Sequence, residues 1–458
     1  MSTQNNDILN TKLTPKQAKK AMAAADAAVD SLMIWGAPGI GKSAIARQYA
    51  DENYPLRKNA AARVDFLEKQ IEALKQVVED APTEESRDDA KADLRGVQRE
   101  LETLESKLID QDTNFIDFRL SQIEPTDLRG IPVPEKLFRD MEGRLIKESD
   151  LAEAQEYIAE TAVVWAAPKV LKLPEDWKGV ILFDEINSAM PIVQAASYQL
   201  ILDRCVGEMK LPKTALVLAA GNRDTDGGVT FTLATPLRDR MTHIEVQPYH
   251  QDWIDDYAID KKLNAATVAF ISNTGAKYFN TLDPSSPSHA GGTSPRSWEV
   301  VAKYEDMNSK KMLDKEIYRA MVAGRITDGI AVEYIEYVEN VAKLPDTMKI
   351  LQGQIETIDE GLDISSNYFI ALNLVYKIID LYNEKKEQRI TSEEWGTLAN
   401  NFILFLERNF SKHQAELAVL AIRTITKAQV AISYKEVPAF QPFVKKYSEL
   451  VRKARNLS

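Results

Sequence analysis

The sequence predicts an α/β domain built on a parallel sheet and continued by helical regions. Three observations carry that expectation. A phosphate-loop signature, Gly36-Ala37-Pro38-Gly39-Ile40-Gly41-Lys42-Ser43, follows directly on the apolar run Leu32-Met33-Ile34-Trp35 and precedes the helix-like Ala44-Ile45-Ala46-Arg47-Gln48-Tyr49-Ala50. A second apolar run, Gly179-Val180-Ile181-Leu182-Phe183, ends in the acids Asp184 and Glu185, and a third, Ala215-Leu216-Val217-Leu218-Ala219-Ala220-Gly221, ends at Asn222-Arg223. Uninterrupted apolar runs are how strands buried on both faces read, and α/β sheets bind ligands at the C-terminal ends of such strands.

At 458 residues the chain is too long for one ordinary core, and usual domain sizes suggest roughly two to four domains. Hydrophobic content of 44% with 28% charged residues describes a soluble globular protein. The net charge of −12 argues against a basic surface that tracks a phosphate backbone, leaving only a local basic channel in an oligomer as a route to nucleic acid. Cys205 is the sole cysteine, which excludes an internal disulfide, and His243, His250, His289 and His413 show no metal-ligand spacing. There is no signal peptide and no apolar run near the ~18 residues a membrane span needs, so a reducing cytoplasm is the simplest compartment.

In chain order, Thr14-Pro15 reads as an N-cap followed by proline in the first turn of a helix running to about Asp30. In the phosphate loop, glycines let successive N–H groups face phosphate oxygens, and the following helix adds its positive end. Lys42 can then reach the outer phosphates of a nucleoside triphosphate while the Ser43 hydroxyl ligates Mg²⁺. Residues 59–110 break the α/β rhythm. Val64, Leu67, Ile71, Leu74 and Val78 recur three and four apart, as do Leu94, Val97, Leu101, Leu104 and Leu108 after a turn around Pro82. Two such helices predict an antiparallel coiled-coil hairpin, either a projecting arm for a partner or neighbouring subunit or a solvated spacer.

A strand is expected at residues 115–120, then a proline-punctuated loop at residues 123–132. Asp184 would bind Mg²⁺ through its water shell, and Glu185 would activate the attacking water as general base. Asn222, at a neighbouring strand tip, either hydrogen-bonds the γ-phosphate or attacking water or merely caps a turn. Arg238 and Arg240 precede the strand His243-Ile244-Glu245-Val246; arginines near turns are also commonly solvated or salt-bridged, so both readings stay open. From about residue 248 the chain turns helical. A polar loop at residues 283–293 leads to Ser294-Pro295, a cap that puts Arg296 in an exposed first turn.

The order phosphate loop, Asp184-Glu185, Asn222, Arg240, Arg296 resembles the AAA+ ATPases, and more narrowly their MoxR-like, dynein-related branch. The narrower likeness is carried by Pro125-Thr126-Asp127-Leu128-Arg129-Gly130, Leu182-Phe183-Asp184-Glu185-Ile186-Asn187, Ala219-Ala220-Gly221-Asn222-Arg223 and Ser294-Pro295-Arg296-Ser297-Trp298-Glu299. Over roughly residues 10–350 it implies an AAA+ P-loop core, within a domain at 1–247, and a helical lid at 248–350; the coiled coil inserted at 59–110 departs from the family's common core, and it is helical patterning that predicts a further helical domain at 351–458. The resemblance implies ATP on Gly36, Ala37, Pro38, Gly39, Ile40, Gly41, Lys42, Ser43 and Ala44, with Mg²⁺ on Ser43 and Asp184. Lys42, Glu185 and Asn222 serve catalysis, Arg296 is sensor 2, and Arg240 is the arginine finger, with Arg238 as its fallback. A β-hairpin is expected around residues 202–211. The resemblance further implies a homo-oligomeric, hexameric ring that remodels or assembles a protein substrate, often beside a von Willebrand factor A domain partner. A nucleic-acid motor and a nucleotide-gated scaffold acting through the coiled coil are the rival expectations.

Overall fold

The three apolar runs lie side by side in one parallel sheet. This computed structural model describes residues 11–54, 113–139, 145–147, 158–166, 168–171, 173–206, 209–226, 230–283, 285–286, 291–410 and 414–447, with isolated positions 71, 78, 94, 96 and 97. The chain divides into two units, Met1–Gln247 and Pro248–Ser458.

In the first unit the strands are β1 (Lys12–Leu13), β2 (Leu32–Trp35), β3 (Phe115–Arg119), β4 (Ile131–Arg139), β5 (Leu145–Lys147), β6 (Ile158–Ala166), β7 (Gly179–Asp184), β8 (Cys205–Val206), β9 (Met209–Lys210), β10 (Ala215–Gly221) and β11 (Thr242–Val246). Six of them pair in the order β1-β11-β2-β10-β7-β3, every neighbouring pair parallel. The strand that ends in Asp184 is therefore separated from the strand that feeds the phosphate loop by β10, whose tip carries Asn222. Alternate side chains serve opposite faces. Met33, Ile181, Phe183 and Val217 pack with Val193 and Leu200 of helix α4 (Pro191–Leu202), while Leu32, Ile34, Leu182 and Leu218 pack with Met22, Ile45 and Tyr49. Met22 belongs to α1 (Pro15–Ala28), and Ile45 and Tyr49 to α2 (Lys42–Asn53). Covering both faces is what lets these strands read as continuous apolar runs.

Helix α1 opens as expected. Thr14 is its N-cap, in a capping box with Gln17, and Pro15 fills the first turn. The region 123–132 departs from the expected loop: Pro125–Arg129 form a short helix, α3, capped by Glu124 and Asp127, and β4 starts at Ile131. Prolines are tolerated there because β4 is half an edge strand. β6 pairs with all of Ile131–Arg139, but β5 covers only Leu137–Arg139, so the missing donors of Pro132 and Pro134, two residues apart, can share the open side. This three-stranded antiparallel sheet between β3 and β7 left no mark in the sequence reading. After α4, β8 and β9 form the expected small hairpin, with Val206 opposite Met209. Helix α5 (Thr235–Asp239) then leads into β11.

Almost all of the expected coiled coil at residues 59–110 lies outside the described residues; only positions 71, 78, 94, 96 and 97 are described, all helical. The two ends of the surrounding segment meet. The Asn114 side-chain amide donates to the Tyr54 carbonyl at 2.9 Å and to Asp51 at 3.1 Å, so the chain departs from the foot of α2 and returns beside it.

The second unit is helical: α6 (His250–Trp253), running on as a π turn at Ile254–Ala258, then α7 (Ala265–Tyr278), α8 (Pro295–Ser309), α9 (Lys315–Ile326), α10 (Asp328–Val341), α11 (Thr347–Leu351), α12 (Ile364–Lys386), α13 (Ser392–Phe410) and α14 (Ala415–Lys427). One apolar core runs through it from Trp253 to Tyr447, with Trp298, Tyr334, Trp395 and Phe402 fully buried. Among the described residues no helix is long and apolar enough to cross a membrane.

Candidate active site

The phosphate loop joins β2 to α2 through Gly41, the N-cap, at φ 96, a left-handed conformation that suits glycine. The first N–H groups of α2 have no partner within the helix, and together with the helix dipole they make its N-terminus an anion site. Lys42 is only 8% exposed. Its ammonium donates to the Gly36 carbonyl at 2.7 Å, the Ala37 carbonyl at 3.2 Å and Oδ1 of Asn222 at 2.9 Å. The lysine is thus drawn between the loop and the tip of β10, as the separate motifs require if they serve one ligand.

One residue on, the Ser43 hydroxyl donates to a carboxylate oxygen of Asp184 at 2.5 Å. Hydroxyl and carboxylate converge on one point, and both are oxygen donors of the kind a hard divalent cation takes. Among the described residues no group of three or more His, Cys, Asp or Glu side chains could hold a metal by itself. Mg²⁺ is commonly held by one or two protein oxygens, with water and phosphate completing its octahedron.

Glu185 follows at the end of β7 with φ 57, an uncommon backbone for a residue bearing a β-carbon. Several bonds hold it: its N–H donates to Asp184 at 2.8 Å, its carbonyl accepts from the Ser188 N–H at 2.9 Å, and its carboxylate accepts from the Ser121 hydroxyl. Ser121 lies in the short turn Leu120–Gln122 just after β3. The adjacent acids thus have different hydroxyl partners, Ser43 for Asp184 and Ser121 for Glu185.

Three further residues were given no role by the sequence reading, although Asn187 stood in one of the motifs that carry the resemblance. Ser121 and Asp117 sit on or beside β3, which pairs with β7 although 60-odd residues separate them in the chain. Burial raises the Asp117 carboxyl above its ordinary range, and the Asp184 charge pushes the same way. Its signal was an acid inside an apolar strand, visible only once β3 is known to lie next to the acid-bearing strand. Asn187 is 1% exposed and hydrogen-bonded to the backbone of Asn222. Arg223, by contrast, is a structural pin: it pairs with Asp226 and Glu245 at 2.7 Å each, and the Asp226 bond above all holds its guanidinium more firmly protonated than usual.

Lys42, Ser43, Asp184, Glu185 and Asn222 therefore come together at the C-terminal ends of β2, β7 and β10. Within the loop Ala37 and Ile40 are buried, and Ala44 lies in the first turn of α2. Arg240 stands apart, 60% exposed at the end of α5, with Asp203 at 3.9 Å as its ion-pair partner. Arg238 is exposed two residues earlier, and its carbonyl meets His243 Nε2 at 2.9 Å. His243 Nδ1 accepts from the Trp35 indole at 2.9 Å, so Nε2 carries the ring proton and donates to that carbonyl. Arg296 belongs to the second unit, exposed in the first turn of α8, where Ser294 forms a capping box with Ser297.

No family model matches the sequence, and no curated protein matches it. Among solved structures, NtrX from Brucella abortus aligns with a TM-score of 0.30 at 11% identity, over 79% of this chain and 68% of that one. Its complex with ADP aligns at 0.27 and 12% over 91% and 68%, and its complex with ATP at 0.29 and 10% over 92% and 69%. Likeness this slight bears no weight, and the functional reading rests on the residues.

Proposed function

We propose that this chain is an AAA+ ATPase of the MoxR-like kind, which binds ATP at the phosphate loop and hydrolyses it to drive rearrangement of a protein partner. The observation that carries the reading is the double junction at one point: Lys42 bonded to Asn222 and Ser43 bonded to Asp184. The phosphate loop thus meets two motifs that lie 141 and 180 positions further along the chain, as a triphosphate site needs.

In this reading the loop N–H groups and the start of α2 receive the phosphates, and the Lys42 ammonium moves from its carbonyl partners to the outer phosphate oxygens. Mg²⁺, held by Ser43 and Asp184, would neutralise charge on the phosphates. Glu185 accepts the proton of the attacking water; the Ser121 hydroxyl holds its carboxylate in the meantime. Asn222 uses its side-chain amide to orient the γ-phosphate or the water. Arg240, exposed and weakly held, supplies the positive charge to the site of the next subunit in a homo-oligomeric ring.

Steady-state ATP hydrolysis and nucleotide titration test this directly. Wild type should turn over ATP, and Glu185→Gln should bind ATP with unchanged affinity while turnover falls by roughly 10² to 10⁴, the usual worth of a general base. Undiminished turnover in that variant removes Glu185 as the base.

A further inference from the structure

Asn222 has to be held as well as present, and the structure shows what holds it. Beyond the paired ends of β7 and β10, the Ile186 N–H donates to the Ala220 carbonyl at 3.0 Å, which extends the ladder by one rung. Asn187 then closes it. Its side-chain nitrogen donates to the Asn222 carbonyl at 2.6 Å, and its side-chain oxygen accepts from the Asn222 N–H at 3.1 Å. The reciprocal pattern fixes which way the amide points, since the nitrogen must face the carbonyl and the oxygen the N–H. The Asn187 carbonyl also accepts from the Phe231 N–H at 2.6 Å, so the residue is anchored on a third side.

This clasp is closely fitted. A β-carbon at Gly221 would lie 2.6 Å from the Asn187 side-chain oxygen, too close for any other residue to stand there without displacing it. With both backbone groups of Asn222 engaged by one side chain, little freedom is left for its Cα, and its own amide is presented to Lys42 in a set direction. A buried polar side chain whose donor and acceptor are both used costs little; the same group with one partner removed leaves an unsatisfied atom.

We propose that Asn187 is a positioning residue for hydrolysis, fixing Asn222 and through it the alignment of Lys42. The proposal rests on the ATPase reading above. It concerns a buried residue that acts through the neighbouring strand tip.

Asn187→Asp tests it, because the substitution keeps the size of the side chain but replaces the donor facing the Asn222 carbonyl with an oxygen. Full-length wild type is assayed first; if it hydrolyses no ATP, the ATPase reading fails, whatever the variants do. Given an active wild type, Asn187→Asp should lower kcat on the order of 10²-fold, the scale of a small misplacement in an active site, with KM and ADP affinity unchanged. In an Asn222→Ala background, where the positioned amide is already gone, the same substitution should cause a distinctly smaller loss. Wild-type kcat in Asn187→Asp, an equal fold loss in both backgrounds, or loss of nucleotide affinity alongside kcat each overturns the proposal. If Asn187→Asp does not accumulate as folded protein, Asn187→Ser, neutral and unable to span both backbone groups, takes its place with the same readouts.

Discussion

A glutamate held at φ 57 brings its β-carbon against the following carbonyl, at a cost of roughly 1–2 kcal/mol. Strain of this kind persists only where the surroundings over-determine it, and at Glu185 they do so through Asp184, Ser188 and Ser121. The two natural substitutions should therefore separate stability from chemistry. Glu185→Gly should raise the unfolding free energy by about 1 kcal/mol in a denaturant titration while turnover collapses, whereas Glu185→Gln loses roughly 10² to 10⁴ in turnover without that gain. A less stable Glu185→Gly would show that the carboxylate bonds outweigh the backbone strain. Lys42, Ser43, Asp184 and Glu185 could be read from the sequence because each stands in a local pattern, a glycine turn or an apolar run, whose chemistry is set by adjacent residues. Ser121, Asp117 and Asn187 could not. Their roles depend on β3 lying beside β7 and β7 beside β10, and no local pattern records which strands are neighbours.

Elements were legible where periodicity and caps agreed, as in α1 with its Thr14 box and α8 with Ser294 and Pro295. They were misread where a breaker residue met an unusual environment. Pro125 and Pro132 argued for loop, yet Pro125 opens α3 and the open edge of β4 accommodates Pro132 in a strand. Helix packing in the second unit has a titratable counterpart. Glu305 of α8 is 4% exposed, and the Tyr318 hydroxyl of α9 donates to its carboxylate. Burial raises the Glu305 carboxyl above its ordinary 4.5, opposed by the Tyr318 and Asn308 hydrogen bonds. The folded chain then binds this proton more tightly than the unfolded one, so the group's contribution to stability is fullest below 4.5 and declines as pH rises through the raised folded value. Glu305→Gln keeps an acceptor for Tyr318 and removes the charge. Urea titrations should show wild-type stability declining relative to the variant from about pH 4.5 toward neutrality. Parallel pH profiles would assign Glu305 no net penalty.

For the whole molecule the open question is whether one chain contains a complete site. Arg240 lies exposed on the first unit, with Asp203 at 3.9 Å as an ion-pair partner among the described residues. Arg240→Ala should lower turnover by about 10³- to 10⁵-fold, and mixing it with equally inactive Glu185→Gln should restore activity, because some interfaces then combine an intact base with an intact arginine. A mixture no more active than its parts would place Arg240 outside the site. The bond between Asn114 and Tyr54 has a mechanical consequence. It ties the departing and returning chain around residues 55–112 to the foot of α2, and α2 begins with Lys42 and Ser43. Twelve residues of helix span about 18 Å, so this stiff rod has the phosphate site at one end and the root of the inserted segment at the other. A pull on that segment would be delivered along the helix to Lys42 and Ser43, the residues proposed to hold the phosphates, and a shift at those residues would be felt at the root.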